Sequence, residues 1–176
     1  MNTKINIFLC IAFVLVTCEN KLAAQVHAVK EAKNSYVTGY AGIVQPLVSF
    51  SDGKFSSGFS KNYTLAVAFG LNIIKSNHIV YSFEVDPYLH FDSTGSKVNN
   101  LLIQPGIILK ERNGFSNAFR IAFETGGRYG FSIATSKVFI KRDQYNIYSL
   151  ISFPSVRFGN SQPASIGASM AVGIGF

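Results

Sequence analysis

Along nearly the whole chain beyond residue 35, large apolar side chains return at every second position, with small or polar residues between them. In "NYTLAVAFGLNI", residues 62–73, Tyr63, Leu65, Val67, Phe69, Leu71 and Ile73 fall on one side. Asn62, Thr64, Ala66, Ala68, Gly70 and Asn72 fall on the other. A period of two is that of an extended strand, whose successive side chains point to opposite faces. The terminal "SIGASMAVGIGF", 165–176, repeats it: Ile166, Ala168, Met170, Val172, Ile174 and Phe176 oppose Ser165, Gly167, Ser169, Ala171, Gly173 and Gly175. A chain made of such segments has two surfaces of unlike polarity. Its fold must give each a matching environment.

Further segments follow the same rule, separated by short clusters of Gly, Asn, Ser, Asp and Lys that read as turns. "IVYSFEVDPYLHF", 79–91, sets Ile79, Tyr81, Phe83, Val85, Pro87, Leu89 and Phe91 against Ser82, Glu84, Asp86, Tyr88 and His90. "NLLIQPGIILK", 100–110, and "NAFRIAFETGGRYGFSI", 117–133, each read as one strand; the second sets Phe119, Ile121, Phe123, Tyr129 and Phe131 against Arg120, Ala122, Glu124, Arg128 and Gly130. Residues 36–50 form a strand with less distinct faces, and 145–159 another with Pro154, Val156 and Phe158 opposite Arg157. With the terminal strand these make seven. An antiparallel barrel closes on an even number, so "KVFIK", 137–141, is assigned as a short eighth. The predicted fold is all-β, an antiparallel up-and-down barrel over 35–176. Connections at 74–78, 111–116 and 142–144 lie at one end, and those at 51–61, 92–99, 132–136 and 160–164 at the other.

The first 24 residues stand apart. A basic start at Lys4, an apolar run from Ile7 to Val16 and a small-residue end at Ala23 and Ala24 have the layout of a cleaved secretory signal. Residues 25–34 are then a short N-terminal segment. Both cysteines, Cys10 and Cys18, fall within the signal, so the mature chain has no disulfide and no Cys-ligated metal. A lipid-carrying Cys18 is the alternative, disfavoured by Thr17 directly before it. Removing Lys4, Lys21 and Glu19 leaves fourteen basic and eight acidic residues. That excess is spread over turns and strand ends; for an exported protein it points to lipid phosphates rather than nucleic acid.

Alternation alone does not say which face is inside. The polar-side residues are small in every clear strand: Ala66, Ala68, Gly70, Gly106, Ala122, Gly126, Gly130, Gly167, Ala171 and Gly173 among them. Solvent imposes no such limit, whereas the lumen of an eight-stranded barrel is only just wide enough for side chains. The apolar face is continuous, with Tyr63, Phe91, Phe158 and Phe176 toward strand ends, as in a lipid-facing band between aromatic girdles. On these features the chain resembles the small outer-membrane β-barrel proteins of Gram-negative bacteria, the OmpA/OmpX-like group, and among them the minimal barrels of Bacteroidota. The resemblance implies a transmembrane barrel in the cell outer membrane, with lipids and lipopolysaccharide around it. It also implies an assembly signal, read by the barrel assembly machinery, at Val172, Ile174 and Phe176. It leaves the oligomeric state open.

The inward face carries Glu84, Asp86, His90, Arg120, Glu124, Arg128 and Arg157. Acids with a histidine suit acid–base catalysis, and a few outer-membrane barrels are lipid-modifying hydrolases, but no serine is identifiable beside His90. Glu84 and His90 are six residues apart, about 20 Å along a strand, too far to share one ion. The expected role is a salt-bridged plug, with Arg120, Arg128 and Arg157 reaching the acids of one layer, no catalytic residues, no metal and no cofactor. A structural or surface-interaction role follows; a narrow pore for small solutes and a soluble periplasmic carrier of apolar ligands are the alternatives.

Overall fold

The computed structural model describes residues 35–59, 63–93, 95–159 and 162–176. The predicted signal, 1–24, and the segment 25–34, with Cys10 and Cys18, lie outside the described residues. The strands are β1 (Tyr36–Ser51), β2 (Lys54–Ser57), β3 (Tyr63–Ile74), β4 (Ile79–Asp92), β5 (Gly95–Lys110), β6 (Phe115–Glu124), β7 (Tyr129–Lys141), β8 (Asn146–Phe158) and β9 (Ser165–Gly175). All pairings are antiparallel and run in the order β1-β3-β4-β5-β6-β7-β8-β9, and β9 returns to pair with β1. The chain is therefore a closed eight-stranded up-and-down barrel. The ninth strand, β2, folds back on the far end of β1 through Asp52 and Gly53, both at positive φ (51° and 69°). Asp-Gly is a strong signal for such a two-residue turn.

Eight strands close the barrel, but not all where the alternation placed them. Residues 117–133 are two strands: β6 ends at Glu124, β7 starts at Tyr129, and 137–141 is the end of β7 rather than a strand of its own. The turn is built on Gly127, at φ 82°, with Gly127 N–H donating to Glu124 O and Glu124 N–H to Arg128 O. It escapes a period-two reading because Phe123 pairs with Tyr129, an even separation, so the alternation leaves the turn in the phase in which it entered. Hence 132–136 lies inside a strand, and 125–128 is the connection at that end. The connection expected over 92–99 is also shorter: Asp92 pairs with Gly95, and β5 takes up the rest.

Two irregularities explain the strands with indistinct faces. Between Pro46 and Val48 β1 bulges against β9, and between Ser152 and Ser155 β8 bulges against β9. An extra residue reverses which parity faces inward. In β8, Ile151 before the bulge, Phe153 within it and Phe158 after it are exposed, while Ser152 and Arg157 are buried. Pro154 sits within this bulge and is half-buried, off the clean outward row assigned to it.

Round the closed sheet the outward positions are large and apolar: Phe69, Leu71, Tyr81, Phe83, Ile107, Phe119, Ile121, Phe131, Ile151, Met170 and Val172 are all exposed. The buried positions are small or polar, among them Ala66, Ala68, Ala118, Ala122, Ala134 and Ala171 beside Ser82, Glu84, Asp86, Gln104, Arg120 and Arg157. Leu102 and Val80 are the largest side chains fully buried. The polarity is the reverse of an ordinary core. Tyr63 pairs with Phe91 and Tyr129 with Phe158, ring centroids 5.8 and 6.1 Å apart, toward the long-loop end. Phe115, Phe139 and Phe176 are exposed toward the other.

Candidate functional site

One row of paired residues runs through the middle of the lumen: Tyr40 beside Gly70, Gly70 beside Glu84, and Glu84 beside Gln104. Large and small residues alternate along it for a steric reason. A Cβ on Gly70 would lie 2.0 Å from Tyr40 Cζ, so the glycine is the space the tyrosine ring occupies. Gly173 serves Tyr148 in the same way, at 2.5 Å.

From this row a polar network spreads. Tyr40 donates from its hydroxyl to Glu84 Oε2 (2.7 Å) and accepts from Arg120 Nη2 (3.2 Å). Arg120 Nη2 also lies 3.3 Å from Glu84 Oε2, an ion pair with both side chains under a tenth exposed. The Gln104 amide spends both of its hydrogens on acids, Nε2 donating to Glu84 Oε1 (3.1 Å) and Asp86 Oδ2 (2.9 Å). Its Oε1 accepts from Ser132 Oγ (3.0 Å), and Ser132 accepts in turn from Arg157 Nη2 (3.1 Å). Arg157 Nε pairs with Glu124 Oε1 at 3.2 Å, and its Nη1 donates to the carbonyls of Phe131 and Val156. Glu124 accepts from Asn100 Nδ2 at 2.8 Å, where the network meets the 125–128 turn through Thr125 and Gly126. Buried charges are tolerable when paired and hydrogen-bonded in this way.

Of the seven residues expected on the lumen face, Glu84, Asp86, Arg120, Glu124 and Arg157 belong to this one network. His90 does not: its Nδ1 lies 3.2 Å from Thr64 Oγ1, on the pairing of β3 with β4 nearer the long loops. Arg128 also turns away from the acids and donates to Ser165 Oγ (2.5 Å) and Pro163 O (3.5 Å). The register places Asp86 beside Leu102 and Leu102 beside Glu124, with Glu84 two residues along beside Gln104. Tyr40, Gln104 and Ser132, which join the two ion pairs, were not among the candidates. Tyr40 had a signal, a bulky residue registering against Gly70, but the reversed phase of β1 concealed its face. What the network leaves of the lumen is a cavity of about 40 Å³ lined by Asp86, Arg120, Tyr148, Ser152 and Arg157, among others. That is room enough for water.

Val172, Ile174 and Phe176 lie in the outward row. Phe176 is joined to Gly39 by backbone hydrogen bonds in both directions (2.8 and 2.9 Å), and a Cβ on Gly39 would come 2.5 Å from its ring. Among the described residues no group of three or more His, Cys, Asp or Glu side chains is arranged to hold a metal ion.

No family model matches the chain, and no curated protein matches it. Among solved structures, the solution NMR structure of the de novo designed TMB2.3 matches with a TM-score of 0.43 and 7% identity, covering 80% of this chain and 95% of that one. The fold described above rests on the strand pairing itself.

Proposed function

We propose that this protein is a small integral outer-membrane barrel whose lumen is plugged, with a structural or surface-interaction role. One observation carries the reading. In a closed barrel the outward side chains are apolar on strand after strand, and the buried charges, Glu84, Asp86, Arg120 and Arg157, face the lumen. On a water-soluble monomer this band would exceed by far the few hundred Å² of contiguous apolar surface usually exposed. In a bilayer it faces a matching solvent, and closure leaves no backbone edge unpaired within the barrel wall. The export signal expected over 1–24 and the resemblance of the alternation pattern favour the outer membrane, assembly through the barrel machinery, and contact with lipopolysaccharide.

The filled lumen supports a closed barrel over a narrow pore or a carrier of apolar ligands, since either would need continuous space along the axis. In this reading the barrel catalyses nothing: its acids are engaged by guanidinium and amide groups, and His90 is bonded to Thr64. The test is cell fractionation with carbonate washing, together with single-channel recording in planar bilayers. Retention in washed outer membranes and silence in the bilayer are expected. Recovery of monodisperse protein from the periplasm without detergent would refute the membrane assignment, and steady conductance would replace the plug with the narrow pore.

A further inference from the structure

We propose that the closed lumen binds one proton, held on Asp86 as a neutral carboxylic acid beside the central cavity. The inference comes from counting charges in the network. Glu84, Asp86 and Glu124 bring three carboxylates, and Arg120 and Arg157 bring two guanidiniums. Both guanidiniums are committed, Arg120 to Glu84 at 3.3 Å and Arg157 to Glu124 at 3.2 Å. Among the described residues Asp86 is the acid left without a cation, and it is also the most buried of the three, at 2% exposure. Its Oδ2 accepts from Gln104, while its buried Oδ1 has no hydrogen-bond partner among the described residues, and the residue lines the cavity.

The groups facing Asp86 from its own and neighbouring strands do not supply the missing charge. Glu84 and Tyr88 share its strand, Tyr148 lines the same cavity, and Arg120 and Arg157 already serve the other acids. A water in the cavity would satisfy the Oδ1 lone pairs but not the charge. A metal cation would balance the charge but would have to sit between Asp86 and two guanidiniums that line the same space. A proton balances the charge at the carboxyl group itself, with no cation needed in the cavity. An isolated buried carboxylate is the form most costly to keep, and neutralisation is its usual escape. The inference concerns the lumen alone, so its failure would leave the membrane assignment standing, and the reverse holds too.

The chain has four aspartates, Asp52, Asp86, Asp92 and Asp143. The full protein, labelled with ¹³C at the aspartate carboxyl carbons and held in detergent micelles, should give one carboxyl signal with the acid-form chemical shift at neutral pH. That signal should disappear in Asp86→Asn and should be indifferent to replacing sodium by potassium or by a large organic cation. If Asp86→Asn does not fold, Asp52→Asn, Asp92→Asn and Asp143→Asn assign the signal by elimination. Four ionised aspartates at neutral pH would overturn the proposal, as would an Asp86 signal that moves with the identity of the metal cation.

Discussion

Replacing Arg120 by methionine keeps the apolar stem of the side chain and deletes the guanidinium and its charge from the centre of the lumen. Arg120 Nη2 is 3.3 Å from Glu84 Oε2. At an effective dielectric of about 20, two unit charges at that separation attract by about 5 kcal/mol. With the guanidinium gone, Glu84 keeps its hydrogen bonds from Tyr40 and Gln104 but has no cation, and the expected loss is about 3–5 kcal/mol. Glu84→Gln strands Arg120 in turn and should cost a similar amount. The double variant Arg120→Met/Glu84→Gln removes both charges and should be less destabilised than either single, so the coupling should exceed the cost of one single variant, about 3–5 kcal/mol. Urea unfolding in detergent or lipid measures this; the chain has no tryptophan, so tyrosine fluorescence and the heat-dependent gel shift serve as probes. Arg157→Met/Glu124→Gln is the internal control. That pair is more exposed, and Arg157 keeps two carbonyls and Glu124 keeps Asn100, so its coupling should be clearly smaller. Additivity of the Arg120 and Glu84 effects within about 0.5 kcal/mol would refute the account of the lumen as one electrostatic unit.

Gly70→Ala should expel the Tyr40 ring and with it the contacts to Glu84 and Arg120, costing about 1–3 kcal/mol; adding Tyr40→Ala should recover part of the urea midpoint, and a larger loss in the double would contradict the steric reading. Phe119→Arg, in the outward row of β6, should cost about 2–4 kcal/mol in lipid, while Phe158→Arg near the long-loop end should cost only about 0–1; equal costs would mean that no depth-dependent apolar solvent surrounds the barrel. Deleting Phe176 should lower heat-modifiable, assembled protein far more than it lowers synthesis, measured by pulse labelling and gel shift. Equal assembled yield would remove Phe176 from the assembly signal.

The outward row was legible because side-chain parity is a local property that survives without knowledge of partners, whereas the count of eight came from the even-number rule for closure, with the eighth strand put in the wrong place. Alternation reports face and nothing else. It passed over the turn at 125–128, whose flanks stay in phase, and it blurred β1 and β8, where bulges at Pro46–Val48 and Ser152–Ser155 change the phase. The same limit explains the lumen. Glu84, Asp86 and His90 share a parity, but height is set by register, and His90 ends beside Thr64 rather than among the acids. Arg128 is read onto the same inward face as Arg157 but has a different destination, because a long side chain near a rim can reach loop carbonyls that no periodicity announces. Tyr40, Gln104 and Ser132 are neutral, and a search for charges overlooks the groups that join them.

The pairing of β1 with β9 differs in kind from the others. Every other neighbouring pair in the barrel wall joins strands linked by one connection, whereas Tyr40 against Gly175 and Ser51 against Ser165 bring the two ends of the sequence together. In kinetic terms the wall is a ribbon of local hairpins with one non-local step, and the entropy of that step grows only as the logarithm of the loop it closes. Until it happens, β1 and β9 are open edges able to pair with another copy. Gly42 and Gly173, which face each other across this seam, therefore bear on how long the unclosed sheet survives. A residue such as Gly106 of β5, paired with Ser82 of β4, acts on a pairing made between strands already joined by a short turn.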